Sequence, residues 1–327
     1  MRVTKDMIHP ELRLPKKLIH LLSTPNRTEE MIRNQKASSV LRIMKYLKPA
    51  GIKVEEKYIS RPDDSQMKLY IVTRKNSNSN KRPGILSIHG GGYSGGDPLQ
   101  DIIQAKVILG LVDGVFITPD YRRSVEAPYP AAVNDCYTAL KWMKDHTVQL
   151  GIRSDQLIVI GGSAGGGLTA ATTLMAREKG EVNIAFQMPL YPMIDDRPTP
   201  SSIDNNAPIY DGITNQSNWK IYLGDLYGTD HIPATAAPAR ADDFTGLPPT
   251  ISMAGSIDPF HDETVTYVDN LRRAGIPVEF REFIGAWHGF EGIAFWTKIA
   301  KEANKWRNEK FVEYLSKYTA PQPDTGF

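Results

Sequence analysis

The stretch LIVIGGSAGGGLTAATTLMA, residues 157–176, decides how the rest of the chain is read. It opens on four apolar residues, a run that suits a strand buried on both faces. It closes on an Ala- and Leu-rich segment that favours helix. Between them stand Gly161, Gly162, Ser163, Ala164 and Gly165, in the pattern Gly-x-Ser-x-Gly. A strand that turns at once into a helix leaves no room for side chains beside the corner, and glycine has none. A serine on that corner takes a strained backbone and lifts its hydroxyl clear of the sheet, at the positive end of the new helix. Ser163 is therefore the candidate nucleophile.

A serine hydroxyl attacks only when a base accepts its proton and a third group orients the base. After an elbow of this kind the chain order is serine, then Asp or Glu, then His. The chain has seven histidines: His9, His20, His89, His146, His231, His261 and His288. Order excludes the first four. His231 precedes the best acid, and His261 lies too near that acid to sit across the serine from it. His288, in FIGAWHGFEG between Gly285 and Gly289, remains as the base. The acid should occupy another strand-end loop, and MAGSIDPFHDE at 253–263 offers Asp258, Asp262 and Glu263. Pro259 disfavours helix at Asp258 but lets one begin just after it. Asp262 and Glu263 then fall in the first helical turn, where the dipole already favours acids. Asp258 is the choice.

A second glycine-rich stretch, IHGGGYSGGD at 88–97, also follows an apolar run. Its spacing satisfies Gly-x-Gly-x-x-Gly, with Asp113 available as a ribose acid. A dinucleotide loop, however, should open a helix directly in the first βαβ unit. Here Asp97-Pro98 delays the helix and two strands come earlier. Main-chain amides presented to a transient oxyanion explain the glycines better, because side chains would block donors that must lie about 3 Å from the charge.

Working outward, apolar runs at 84–88, 114–118, 156–160, 184–188, 249–253 and 278–283 alternate with helical periodicity at 131–146, 165–178 and 262–274, with another such segment at 293–315. Two earlier strands are expected near 54–60 and 67–74. That alternation predicts an α/β fold with a mostly parallel sheet covered by helices on both faces. Residues 29–47 read as an amphipathic helix. Residues 192–248, rich in Pro, Asn, Asp and Thr with an aromatic island at 219–227, read as an irregular insertion. With the N-terminal helix it forms a cap over the sheet's C-terminal edge, where such folds bind ligands.

The 327 residues carry 39 basic and 37 acidic side chains, a net charge of +2 that argues against a nucleic-acid surface or a polybasic anchor. Mean hydropathy is −0.35. No segment approaches the roughly 18 apolar residues of a membrane span. The N-terminus lacks a secretory h-region. The single cysteine, Cys136, sits at helical spacing with Val133, Tyr137 and Leu140, so it reads as a packed hydrophobe and a cytoplasmic setting is expected.

Four separated motifs, HGGGY at 89–93, GGSAGG at 161–166, DPFHDE at 258–263 and HGF at 288–290, together resemble the hormone-sensitive-lipase-like esterases of the α/β-hydrolase fold. YRRSVEAPYPAAVND at 121–135 and ARADDFTGLPP at 239–249 also match that family, and the similarity covers roughly residues 80–295. The resemblance implies an eight-stranded sheet with a helical cap built from residues 1–48 and 192–240, and a catalytic domain from 49–191 and 241–327. It implies Ser163 as nucleophile, Asp258 as orienting acid, His288 as base, and an oxyanion hole from the N–H groups of Gly91, Gly92 and Ala164. His89 would steady the glycine loop. Tyr93, Tyr191, Tyr210, Trp219 and Trp287 are candidates for the pocket wall. The implied activity is hydrolysis of short-chain carboxylic esters through an acyl-enzyme, without metal or organic cofactor, by a chain that could form a homodimer.

The sequence departs from the family at Gly162, where Asp or Glu is usual, at Arg123-Ser124-Val125 and Ala127, and at His261, which replaces an Arg. An amide or N-formyl hydrolase, or a deacetylase, would use the same triad. A catalytically silent ligand receptor would lack one of its members. Fluorophosphonate labelling separates the receptor from the enzyme, and NAD(P)H binding tests the dinucleotide reading.

Overall fold

The computed structural model describes residues 1–20, 24–35, 50–77 and 79–323. Its strands are β1 (Ile52–Ser60), β2 (Gln66–Arg74), β3 (Arg82–Ile88), β4 (Val115–Pro119), β5 (Ile152–Gly162), β6 (Phe186–Leu190), β7 (Thr250–Gly255) and β8 (Val278–Phe283). They form one eight-stranded sheet in the order β1-β2-β4-β3-β5-β6-β7-β8. β2 pairs antiparallel with β1 and β4, and every other pairing is parallel.

The helices are α1 (Arg13–His20), α2 (Glu29–Arg33), α3 (Leu99–Leu111), α4 (Ala131–Asp145), α5 (Thr147–Leu150), α6 (Ala164–Lys179), α7 (Gly212–Leu223), α8 (His261–Arg273), α9 (Phe290–Ile293) and α10 (Lys298–Lys317). The two-residue side-chain period of the strands divides the core. Leu86, Ile88, Ile117 and Val159 pack with Cys136, Leu140 and Leu168 of α4 and α6 on one face. Ile85, Phe116, Ile158 and Ile160 pack with Ile102, Ile108 and Phe311 of α3 and α10 on the other. Both faces are covered, which is why the central strands are apolar without alternation. Among the described residues, no helix is long and apolar enough to cross a membrane.

Boundaries differ in places from the sequence reading. β5 begins at Ile152 rather than 156, and β6 at Phe186 rather than 184. The last long helix starts at Lys298, after the single turn of α9, rather than at 293. Helix α2 accounts for the start of the expected 29–47 helix, with Thr28 capping it through Met31 N–H. Residues 36–47 of that expectation lie outside the described residues. The interval 192–248 is not irregular throughout, because α7 occupies the first half of its aromatic island. Asp211 caps this helix by accepting from Thr214 N–H at 2.8 Å.

The chain's beginning lies against this interval. The Met1 amine meets the Pro200 carbonyl at 2.7 Å, and Val3 N–H donates to Asn206 Oδ1 at 2.7 Å. Asn26 N–H reaches Asp211 Oδ2 at 2.8 Å, so one carboxylate both caps α7 and ties down the N-terminal segment.

Candidate active site

Four loops at the C-terminal ends of parallel strands β3, β5, β7 and β8 converge, and each carries one stretch singled out above. At the end of β5, Ser163 has φ 60° and ψ −128°, a conformation that side-chain-bearing residues rarely adopt. The surroundings hold it there. Ser163 N–H donates to the Leu190 carbonyl at 3.0 Å, and its own carbonyl accepts from Gly167 N–H at 2.9 Å and Met193 N–H at 3.0 Å. A Cβ on Gly161 would lie 2.4 Å from the Gly165 carbonyl oxygen, and one on Gly165 would lie 1.9 Å from that of Ile88. Backbone stands against backbone at this corner.

His288 Nε2 lies 2.8 Å from Ser163 Oγ, and Nδ1 lies 2.8 Å from Asp258 Oδ2. Asp258 is fully buried, and its second oxygen accepts from Phe260 N–H at 2.9 Å. A carboxylate offers only acceptors, so it assigns the imidazole proton to Nδ1 and leaves the Nε2 lone pair facing the serine hydroxyl. The ring is packed by Tyr191 at 5.0 Å, Phe260 at 5.0 Å and Tyr210 at 5.5 Å between centroids. The loop can take this path because Gly285 and Gly289 both adopt positive φ, 73° and 67°.

The loop after β3 runs past the same corner: a Cβ on Gly90 would sit 3.3 Å from Ser163 Cβ. Gly91 and Gly92 have φ of 131° and 62°. Among the described residues, none accepts a hydrogen bond from the N–H groups of Gly91, Gly92 or Ala164. The loop is steadied from behind. His89 stacks on Tyr121 at 4.2 Å, its Nδ1 lies 2.9 Å from the Gly90 carbonyl, and Tyr121 hydroxyl donates to the His89 carbonyl at 2.8 Å. Burial pulls the His89 pKa down to about 4, so the ring is neutral at physiological pH and donates from Nδ1. Ser124, at one of the departures from the family, is used here. Its N–H donates to the Tyr93 carbonyl at 2.9 Å, and its hydroxyl pairs with Ser94 at 2.8 Å.

The five aromatic candidates separate. Tyr191 and Tyr210 flank His288. Tyr93 is buried, stacked on Tyr222 at 3.9 Å, with its hydroxyl donating to the Met193 carbonyl at 2.6 Å. Trp219 packs 5.5 Å from Tyr93 and lines a cavity of about 680 Å³ between the chain's start and residues 196–227, whose walls include none of Ser163, Asp258 and His288. Trp287 is fully buried in the α3–α10 face of the core.

Sequence reasoning passed over three residues. Asn218 of α7 fills the space a Gly92 side chain would need, its Nδ2 lying 2.6 Å from that Cβ position. The same nitrogen donates to Tyr210 hydroxyl at 2.9 Å and to the Thr214 carbonyl at 3.1 Å. Glu263 does more than sit at a helix start: its Oε1 accepts from Ile194 N–H at 2.7 Å, pinning the loop after β6. Burial raises its pKa well above the usual carboxyl range. Glu291 is the third. The acids near His261 are structural, with Asp262 and Glu282 at 2.8 and 2.7 Å from its two ring nitrogens.

Comparison with known proteins agrees with this geometry. A family model described as the α/β hydrolase fold matches residues 85–292. Esterase LipI of Mycobacterium tuberculosis is 35% identical over 226 residues, covering 68% of this chain and 69% of LipI. Carboxylesterase NlhH of the same species is 33% identical over 226 residues, 68% of this chain and 70% of NlhH. Among solved structures, a bacterial heroin esterase superposes with a TM-score of 0.86 at 31% identity, covering 96% of this chain and 99% of that one.

Proposed function

We propose a mechanism for a chain that belongs to the hormone-sensitive-lipase-like esterases of the α/β-hydrolase fold and is a carboxylic ester hydrolase: Ser163 is its nucleophile, His288 its general base and Asp258 the acid that orients the base. The observation that carries the reading is the unbroken line of two 2.8 Å contacts from Ser163 through His288 to Asp258. As Ser163 Oγ attacks the ester carbonyl carbon, its proton passes to His288 Nε2. The carbonyl oxygen becomes an oxyanion held by the N–H groups of Gly91, Gly92 and Ala164. One such donor is worth about 10²- to 10³-fold in rate, because the dipoles are in place before the charge appears. Collapse expels the alcohol, which takes the proton from His288, and water then repeats the sequence on the acyl-enzyme.

The hydrogen bonds of Met1, Val3 and Asn26 to the 200–211 segment support a cap built from residues 1–48 and 192–240 on the catalytic core. Short acyl chains are the proposed substrates, by family resemblance and because three aromatic rings crowd the base. The lone buried Cys136 supports a reducing compartment such as the cytoplasm. The test is Ser163→Ala, which should abolish hydrolysis of p-nitrophenyl acetate and butyrate while circular dichroism and melting stay as in the wild type. Turnover that survives the substitution would refute the assignment.

A further inference from the structure

Gly162 stands beside the nucleophile, and its neighbour is a phenol. A Cβ on Gly162 would lie 3.1 Å from Tyr191 Cε2 and 3.2 Å from the Tyr191 hydroxyl. The Tyr191 ring also meets the His288 imidazole edge-on, with centroids 5.0 Å apart and planes at 76°. Its backbone is held at φ 34° by an N–H bond to the Met253 carbonyl at 2.8 Å. One side chain therefore touches both the nucleophile's own turn and the base.

Behind the phenol lies a carboxyl group. Tyr191 hydroxyl donates to Glu291 Oε1, and Glu291 stands on α9, three residues past the base. Glu291 is buried, and its Oε2 has no hydrogen-bond partner among the described residues. Its carbonyl accepts from Asn304 Nδ2 at 2.9 Å, which ties α9 to α10. A buried carboxyl with one oxygen unpaired costs stability that an apolar side chain of similar shape would not. Two other charged groups face the cluster. Asp258 lies beyond the imidazole, and Arg307 approaches from α10, where burial lowers its pKa while Glu291 and Tyr191 act to raise it.

We propose that Glu291, acting through Tyr191, is a positioning residue for His288 and supplies beside the nucleophile the negative charge that Gly162 does not. The hydrogen bond fixes the phenol's plane, and the phenol fixes the imidazole's. The charge behind it favours the imidazolium that forms as Ser163 loses its proton. This inference rests on the triad reading, and its test is separable from it.

The test is the pH dependence of kcat/KM for p-nitrophenyl acetate in Glu291→Gln, Tyr191→Phe and the double variant. Gln still accepts from the Tyr191 hydroxyl but carries no charge. Removing a nearby negative charge lowers the pKa of the base, so the acid limb should move down by about 0.5–1 pH unit. The plateau kcat should fall about three- to tenfold, as expected of weakened general-base catalysis, with KM little changed. The double variant should be no worse than the poorer single one, because the two residues act as a unit. An acid limb that stays in place in a folded Glu291→Gln, or losses that simply multiply, would overturn the proposal. Should Glu291→Gln fail to fold, Tyr191→Phe carries the test: it keeps the charge but frees the ring, so the plateau kcat should still fall about three- to tenfold with KM little changed, and a folded Tyr191→Phe with wild-type kcat would overturn the proposal. Fluorophosphonate labelling of the wild type distinguishes the premises, since an unlabelled wild type indicts the triad rather than Glu291.

Discussion

Replacing Gly165 by Ala tests whether the corner's geometry, rather than its composition, sets the rate. The new methyl carbon would lie 1.9 Å from the Ile88 carbonyl oxygen and 2.8 Å from the carbonyl of His89. Ordinary contact begins near 3.4 Å, so the overlap is 3.4 − 1.9 = 1.5 Å, and both nearest partners are backbone. The start of α6 must then back away from the end of β3 by more than an ångström. Overpacking of this kind costs about 1–3 kcal/mol. Against a total stability of about 5–15 kcal/mol the protein still folds. At this length such a loss lowers the melting temperature by roughly 2–10 °C. The two elements driven apart carry Ser163 on one side and Gly91 and Gly92 on the other, and a misplacement of about 1 Å costs about 100-fold in rate. Gly165→Ala should thus melt slightly early yet lose about 100-fold or more in kcat/KM, measured well below its melting temperature. Gly110→Ala is the control: it sits in α3 with no heavy atom within 4 Å of the added Cβ, so it should gain up to about 1 kcal/mol and keep full activity. A folded Gly165→Ala with wild-type turnover would refute the reasoning.

Two further substitutions probe buried carboxyls with opposite duties. Asp258→Asn presents an amide to His288 Nδ1, reverses the tautomer and leaves Nε2 unable to accept the serine proton. The plateau kcat should drop about 10³- to 10⁴-fold with the circular dichroism spectrum unchanged, and a loss under tenfold would contradict the assignment. Asp101, fully buried on α3, accepts from Thr118 hydroxyl at 2.8 Å, and burial raises its pKa to about 7 despite that bond. Because the folded value exceeds the unfolded 3.8, the native state holds the extra proton between these limits, and stability falls as pH rises through the window. Asp101→Asn should therefore flatten the dependence of the urea midpoint on pH between about 4 and 7, and an unaltered slope would remove Asp101 as its source.

What could be read from the chain follows from how each part is buried. Strands such as 84–88 and 156–160 were visible because both sheet faces are covered and nearly every position must be apolar. The elbow was visible because a Cβ on Gly161 or Gly165 would collide with backbone that no rotamer change can move. The order of serine, acid and histidine then narrowed the distant partners, since only strand-end loops reach that edge. Helix α7 was missed for the opposite reason. Its buried positions include Thr214, Asn215, Ser217 and Asn218, whose burial is organised by capping and cross-chain hydrogen bonds rather than by an apolar stripe. Periodicity of hydrophobic residues carries no signal for a helix that buries polar side chains. Glu263 was discounted similarly: a first-turn acid has an ordinary electrostatic use, and only the folded chain places the Ile194 and Asp195 amides on it.

Gly162 shows a limit of another kind. A glycine inside a motif states that a volume is closed to its own side chain, and that much is local information. It does not state what closes the volume. Here the occupant is Tyr191, brought in by a positive-φ residue at the end of the next strand, and the carboxyl behind it comes from Glu291, more than a hundred positions away. Read alone, the missing acid at position 162 looks like lost polarity beside the nucleophile. In the folded chain a side chain at position 162 fits only if the Tyr191 ring gives way by a few tenths of an ångström, so the absence and the replacement are one feature. Gly162→Asp should accordingly fail to act as a return to the family pattern, because its Cβ would press on the ring that braces His288.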